Sequence, residues 1–290
     1  MSRTAFIFVC MLSAMALPAV GQDGSLDVPK SVVAGTAFSI QAPGSGKGTL
    51  YIAGPGGALK RDVQLGQPIA IAASDLNSAG HYVAVLSTDS SSQTAQFDVV
   101  PASDPAAISF LARPSRLPVN LQNGITGAVY LFDSYRNLIT SPVPVSFQLA
   151  VGSAPAQSRT VTTKEGAAWT GMNSATKEGN AKFMAQAGSV SATRVIEQVP
   201  GEPCGLKMNA HKIGDKLNLV TDPLRDCSGN AVSDGTVVTF TETWQGGQTT
   251  VDVPLKRDIA EAMVPAHVGA RLSVATGTVM GNEIRWEGQE

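Results

Sequence analysis

Three histidines, His81, His211 and His267, are the residues of this 290-residue chain best suited to acid–base chemistry or metal binding. Imidazole titrates near neutrality and is a common metal ligand. A hydrolytic triad would also need an activated serine, and no Gly-x-Ser-x-Gly elbow occurs. A zinc site would need a His-Glu-x-x-His or paired Cys-x-x-Cys spacing, and neither is present. The histidines are therefore expected in exposed turns or strand ends. The run Pro43-Gly44-Ser45-Gly46-Lys47-Gly48-Thr49 holds Gly-Lys-Gly-Thr rather than the Gly-Lys-Ser/Thr of a phosphate loop. It also lies between two predicted strands, without the helix N-terminus that holds a phosphate. Two Asp-x-x-x-Asn turns, Asp133–Asn137 and Asp226–Asn230, offer two oxygen-bearing side chains each, whereas calcium takes about 6–8 ligands. A local role is expected for them, because Asp and Asn side chains bond the backbone ahead of them. Trp169, Trp244 and Trp286 would form a sugar-stacking platform only on a shared face. They occupy unrelated strand positions in two segments, so partial core burial is expected. No catalytic, cofactor-binding or metal-ligating residue is expected, and no cofactor.

The elements available to position any site are strands. Charged residues make up 15% of the chain, against about 25% in an ordinary globular protein, and Gly (29) and Pro (17) are plentiful. Long solvated helices need more charge than this on their outer faces. A net charge of −2 gives no sign of nucleic-acid binding. From residue 25 onward, short alternating stretches such as Thr36–Ile40, Gly48–Ile52, Ile69–Ala72 and Tyr82–Leu86 are separated by turn residues. That pattern predicts an all-β chain of sandwiches or barrels. Ahead of it, Arg3, the apolar run Thr4–Leu17, Pro18 and Ala19-Val20-Gly21 follow the plan of a secretory leader. Residues 1–21 are expected to be a signal peptide cleaved near Gly21. No later segment approaches the roughly 20 apolar residues of a membrane span, so the mature chain is expected to be periplasmic or secreted.

The chain repeats itself. Asp133, Asn137, Val145 and Phe147 match Asp226, Asn230, Val238 and Phe240, each 93 residues later, and Ala181, Gly188 and Val190 match Ala270, Gly277 and Val279, each 89 later. Such an offset across strand, turn and strand marks two copies of one domain. With the Pro-bearing joints Val100–Pro105 and Val199–Pro203, it predicts three tandem β-sandwich domains at 25–101, 106–200 and 203–288. The matching elements are a hydrophobic strand, the Asp-x-x-x-Asn turn, a Val-x-Phe strand (Val145-Ser146-Phe147, Val238-Thr239-Phe240) and a late strand opening at Ala181 or Ala270. In these the second and third segments resemble bacterial immunoglobulin-like domains of the intimin/invasin type. The family's Gly before the Asn is kept at Gly229 and replaced at Arg136. Its Gly-x-Ala step is matched by Gly166-Ala167-Ala168, while Asp258-Ile259-Ala260 departs from it. In the first segment Leu76–Tyr82 resembles a tyrosine corner. Ala84 stands where an antibody-type domain has a Cys. The core there is expected on Phe38, Leu50, Ile69, Ile71, Val83, Val85 and Phe97.

Cys204 and Cys227 are the cysteines that remain once the leader is removed. An oxidising compartment favours a bridge. A hairpin turning near Lys212-Ile213-Gly214 would bring Cys227 back towards Cys204, and the bridge is expected to add roughly 3 kcal/mol by loop closure. The sequence thus points to a non-catalytic, extracytoplasmic structural or adhesive protein of immunoglobulin-like domains. The expected partner is a cell-surface or envelope protein, with a glycan as a second class; no nucleic acid is expected, and no membrane span in the mature chain. The rival readings are a periplasmic assembly chaperone and a polysaccharide-binding accessory subunit of an extracellular enzyme.

Overall fold

The computed structural model describes residues 25–288, so the expected leader lies outside the described residues. Among the described residues every regular element is a strand. The chain divides into two compact units, one ending at Val100 and one beginning at Pro101.

The first unit contains β1 (Ser31–Val33), β2 (Phe38–Gln41), β3 (Lys47–Gly54), β4 (Gly57–Gln64), β5 (Pro68–Ile71), β6 (Gly80–Ser87) and β7 (Ser92–Val100). Its larger sheet runs β1-β7-β6-β3-β4, and β2 pairs with β5 in a second. β1 lies parallel to β7, and the other pairs are antiparallel. The tyrosine corner is present: Tyr82 is buried against Phe97, ring centroids 5.6 Å apart, and its hydroxyl donates to the Ser78 carbonyl at 2.9 Å. This corrects the expected core. Strand alternation that turns Tyr82 inward also turns Ala84 and Leu86 inward, so Val83 and Val85 face the other side, only half-buried. Phe38 packs against the core from a half-buried position.

The second unit holds two separate cores. Around Phe147 lie β8 (Ala107–Arg113), β9 (Arg116–Pro118), β10 (Ile125–Phe132), β11 (Pro144–Val151), β12 (Gln157–Thr162), β13 (Ala167–Met172), β14 (Gly179–Ala187) and β15 (Val190–Val199). They form a three-stranded sheet β13-β10-β8 facing a five-stranded sheet β12-β11-β14-β15-β9. Phe110, Phe147 and Phe183 fill the space between them, the Phe110 and Phe183 rings meeting edge-on at 5.1 Å. A Cβ at Gly127 would stand 2.6 Å from the Phe183 ring, so glycine makes room for that phenyl. Around Phe240 lie β16 (Met208–Ile213), β17 (Lys216–Thr221), β18 (Val237–Trp244), β19 (Gly247–Pro254), β20 (Glu261–Pro265), β21 (Arg271–Thr276) and β22 (Val279–Arg285). Their sheets run β16-β17-β20 and β19-β18-β21-β22.

The departures from the family pattern become intelligible as backbone conformation. Gly229 (φ 80°) and Arg136 (φ 67°) hold the same left-handed position one residue before the Asn. Likewise Glu165-Gly166 (φ 51° and 84°) and Arg257-Asp258 (φ 50° and 70°) make equivalent turns, closed by the Lys164–Ala167 and Lys256–Ile259 bridges. Asp tolerates this region better than most side chains. At Gly166, however, a Cβ would meet Leu138 Cγ at 2.6 Å, so the glycine there is demanded twice.

Candidate functional site

Within the second unit the joint between the two sandwiches is densely hydrogen-bonded. Asp226 is buried at the head of its turn. Its Oδ1 accepts the backbone N–H groups of Ser228 and Asn230, both at 2.8 Å. Its Oδ2 accepts the Asn230 side-chain amide and the N–H of Gly201 in the joint, both at 2.9 Å. Burial alone would raise the carboxyl pKa. The Asn230 amide and the N–H groups of Gly201, Asn230 and Ser228 outweigh it and hold the group below its ordinary 3.8. Asn230 then reaches the other sandwich. Its Nδ2 donates to the Thr176 carbonyl at 2.8 Å, and its Oδ1 accepts the Glu178 N–H at 3.3 Å. Cys204 and Cys227 are joined, with Cα atoms 4.7 Å apart, which ties the end of the joint to the residue following Asp226. Beside the joint lies a groove of about 480 Å³ lined by residues that include Val119, Leu121, Pro203 and Val232.

Asp133 builds the same turn in the Phe147 sandwich. Oδ1 accepts Tyr135 N–H at 2.9 Å and Asn137 N–H at 2.8 Å, while Oδ2 accepts the Asn137 amide at 2.9 Å and Ala102 N–H at 3.2 Å. The expected local turn role is therefore filled, and a further role that sequence alone did not disclose is added: each carboxylate also holds the chain leading into its sandwich.

The histidines divide. His81 sits on β6 and pairs with Asp98 across the β6–β7 ladder at 3.0 Å, both largely exposed. His211 is exposed on β16. His267 is not a simple loop histidine. Its backbone N–H and Nδ1 both meet Glu242 Oε1, at 3.1 and 3.0 Å, and its ring stacks on Trp244 at 4.0 Å with planes 4° apart. Glu242 is 0% exposed, and its Oε2 has no hydrogen-bond partner among the described residues. Strand alternation carried the signal: Val238, Phe240 and Glu242 share one inward face. A carboxylate–imidazole pair can move a proton, but hydrolysis also needs a nucleophile. Among the described hydrogen bonds no hydroxyl meets this ring, and Cys204 and Cys227 are joined to each other. Among the described residues no group of three or more His, Cys, Asp or Glu is placed to hold a metal.

The expectation of partial burial holds for Trp244 and Trp286 and fails for Trp169. Trp286 packs against the Phe240 core and Trp244 is half-buried, but Trp169 is 71% exposed. On β13 the inward positions belong to Ala168 and Thr170, which leaves Trp169 on the outer face.

Paired sheets enclosing a common core, an antiparallel majority of ladders and a tyrosine corner define an immunoglobulin-like all-β protein. No protein-family profile matches the sequence, and no curated protein matches it. In fold the chain is similar to InvD of Yersinia pseudotuberculosis, with a TM-score of 0.52 at 12% identity over 91% of this chain and 96% of that one. It is similar also to FdeC, an Escherichia coli adhesin, with a TM-score of 0.53 at 13% identity over 95% of this chain and 98% of that one. These neighbours agree with the resemblance to intimin/invasin-type domains. Among the described residues no helix is long and apolar enough to cross a membrane.

Proposed function

We propose that the protein is an extracytoplasmic, non-catalytic adhesive or structural protein. In this reading a leader (1–21) is cleaved near Gly21, and three immunoglobulin-like domains (25–101, 106–200, 203–288) hold a binding surface away from their point of attachment. The observation that carries the reading is the braced joint. A hydrogen-bonded carboxylate, a side-chain amide reaching the preceding sandwich and a disulfide all act to fix one sandwich against the next. Such rigidity suits a spacer. The likeness in fold to an adhesin supports the same reading by analogy. The partner is a cell-surface or envelope protein.

Two measurements test this. Protein expressed with its leader in a bacterial host should appear outside the cytoplasm with a mass that begins at Gln22. Beads coated with the mature chain should adhere to bacterial or host cell surfaces above albumin-coated beads. Retention of the uncleaved chain in the cytoplasm, or adhesion equal to albumin on every surface, overturns the reading.

A further inference from the structure

The outer face of the sheet β13-β10-β8 carries an apolar group that no core explains. Trp169 (71% exposed), Leu111 (54%) and Tyr130 (49%) all stand on it. The register aligns them: Trp169 and Leu111 are both direct partners of Ala128, one on each side, and Tyr130 lies two residues along from Ala128. Ala128 therefore floors a trough one strand wide, with Trp169 on one wall and Leu111 on the other. On its own strand Trp169 is flanked by Ala167 and Gly171, neither of which rises beside the indole. Over Gly171 lies the side-chain amide of Asn123, whose Oδ1 is 3.2 Å from where a Cβ would be. Arg113 is exposed on the same face, opposite Thr126, and among the described residues it forms no ion pair. The outward positions of these three strands hold no carboxylate.

Size and charge select the occupant. Three strands about 4.8 Å apart and about 3.3 Å per residue give a face of roughly 300 Å². A stable protein interface buries about 800 Å² on each side, so the face is too small for a second copy or a globular partner. It is the right size for two or three sugar rings. The C–H groups of a pyranose carry small positive charge and pack on the negative face of an indole. An amide alongside suits ring hydroxyls, and an unpaired guanidinium favours a planar carboxylate.

We propose that this face binds an acidic polysaccharide, one ring stacked on Trp169 and the carboxylate of a neighbouring uronic acid held by Arg113. The inference rests on the reading of the chain as a binding protein and names a ligand for one of its surfaces.

Affinity electrophoresis of the mature chain through gels containing polygalacturonate, alginate, hyaluronan or neutral dextran tests it. At least one of the three acidic polymers should retard the chain, and dextran should not. Trp169→Ala should weaken retardation at least tenfold, as removal of a central aromatic anchor does, while Trp169→Tyr should keep most of it. Arg113→Gln should weaken it several-fold and reduce its sensitivity to salt. Thermal melts of all three variants should match the parent, since the side chains replaced are exposed. The inference is overturned if no acidic polymer retards the parent chain, if Trp169→Ala is retarded as strongly as the parent, or if dextran is as effective. Bead adhesion separates this from the broader proposal: adhesion by the parent chain without uronate binding sinks only the glycan site, whereas adhesion by neither parent nor variant sinks the adhesive reading itself.

Discussion

The Asp133 and Asp226 turns are one device used twice, with different reinforcement. Both carboxylates gather two backbone N–H groups of their own turn, an Asn amide and one N–H of the incoming chain. At Asp133 the bond to the incoming chain is 3.2 Å and Ser134 follows the carboxylate; at Asp226 it is 2.9 Å and Cys227 follows. Ala106 and Cys204 make equivalent backbone bonds, to the carbonyls of Phe132 and Arg225. The cysteine pair therefore occupies positions that the earlier copy fills with Ala106 and Ser134. The turn is sufficient to end a strand and seat a linker. The bridge adds a covalent tie to the turn of the later copy.

Removing the bridge should show the largest effect. It spans 23 residues, and loop closure of that size contributes about 3 kcal/mol in the chain-entropy model. A Cys204→Ser/Cys227→Ser double variant should lower the stability of the Phe240 sandwich by about that amount in chemical denaturation and leave the Phe147 sandwich unchanged. An equal loss in both would mean that the bridge does not act locally.

Asp226→Asn should cost about 2 kcal/mol, because charge-assisted bonds to buried N–H groups become weaker or are lost. It should also change the response to acid. The folded pKa of Asp226 lies below 3.8, so its contribution is full above that value and is lost as the pH falls through the folded pKa. Equilibrium unfolding between pH 2 and 7 should show stability falling at the acid end in the parent and falling less in Asp226→Asn. Identical profiles would refute the assignment.

Effects of about 1 kcal/mol should appear at the left-handed positions. Arg136→Gly should stabilise and Gly229→Ala should destabilise, since a β-carbon at positive φ is strained. Melting temperatures that move together would break the equivalence of the two turns. Asn230→Ala should give the smallest change in total stability, roughly 0.5–1 kcal/mol. Its effect should instead appear in coupling: a broader distance distribution between spin labels on the Phe147 and Phe240 sandwiches.

The sequence already carried the strands, the repeat and the cysteine partnership, because each rests on residue types at short spacing. The turn carboxylates were visible as turns but not as anchors, since the incoming N–H of Gly201 lies 25 residues before Asp226. Val83 and Val85 are bulky enough for a core, but alternation from the inward Tyr82 places both on the other face of β6. Glu242 lies in step with Val238 and Phe240, so alternation alone turns this carboxylate inward. Trp169 was not recoverable in the same way. Its neighbours Ala128 and Leu111 are 41 and 58 residues earlier in the chain, and only the pairing of β10 with β13 and β8 brings them together.

The parallel ladders acquire a meaning when the chain is pulled. In the first unit the opening strand β1 lies parallel to the closing strand β7, and in the Phe147 sandwich β9, which directly follows the opening β8, lies parallel to the closing β15. Tension on the two ends slides such strands past each other and loads all their bonds together. The Phe240 sandwich closes differently: the Asn282 side chain grips the backbone of Met208, accepting its N–H at 2.7 Å and donating to its carbonyl at 3.0 Å. A single amide is a weaker latch than a ladder, so this sandwich should be the first to yield when single molecules are stretched by force spectroscopy. Its disulfide then limits the damage. The segment between Cys204 and Cys227, a sequence separation of 23, cannot pay out, which withholds roughly 75 Å of slack at about 3.3 Å per residue.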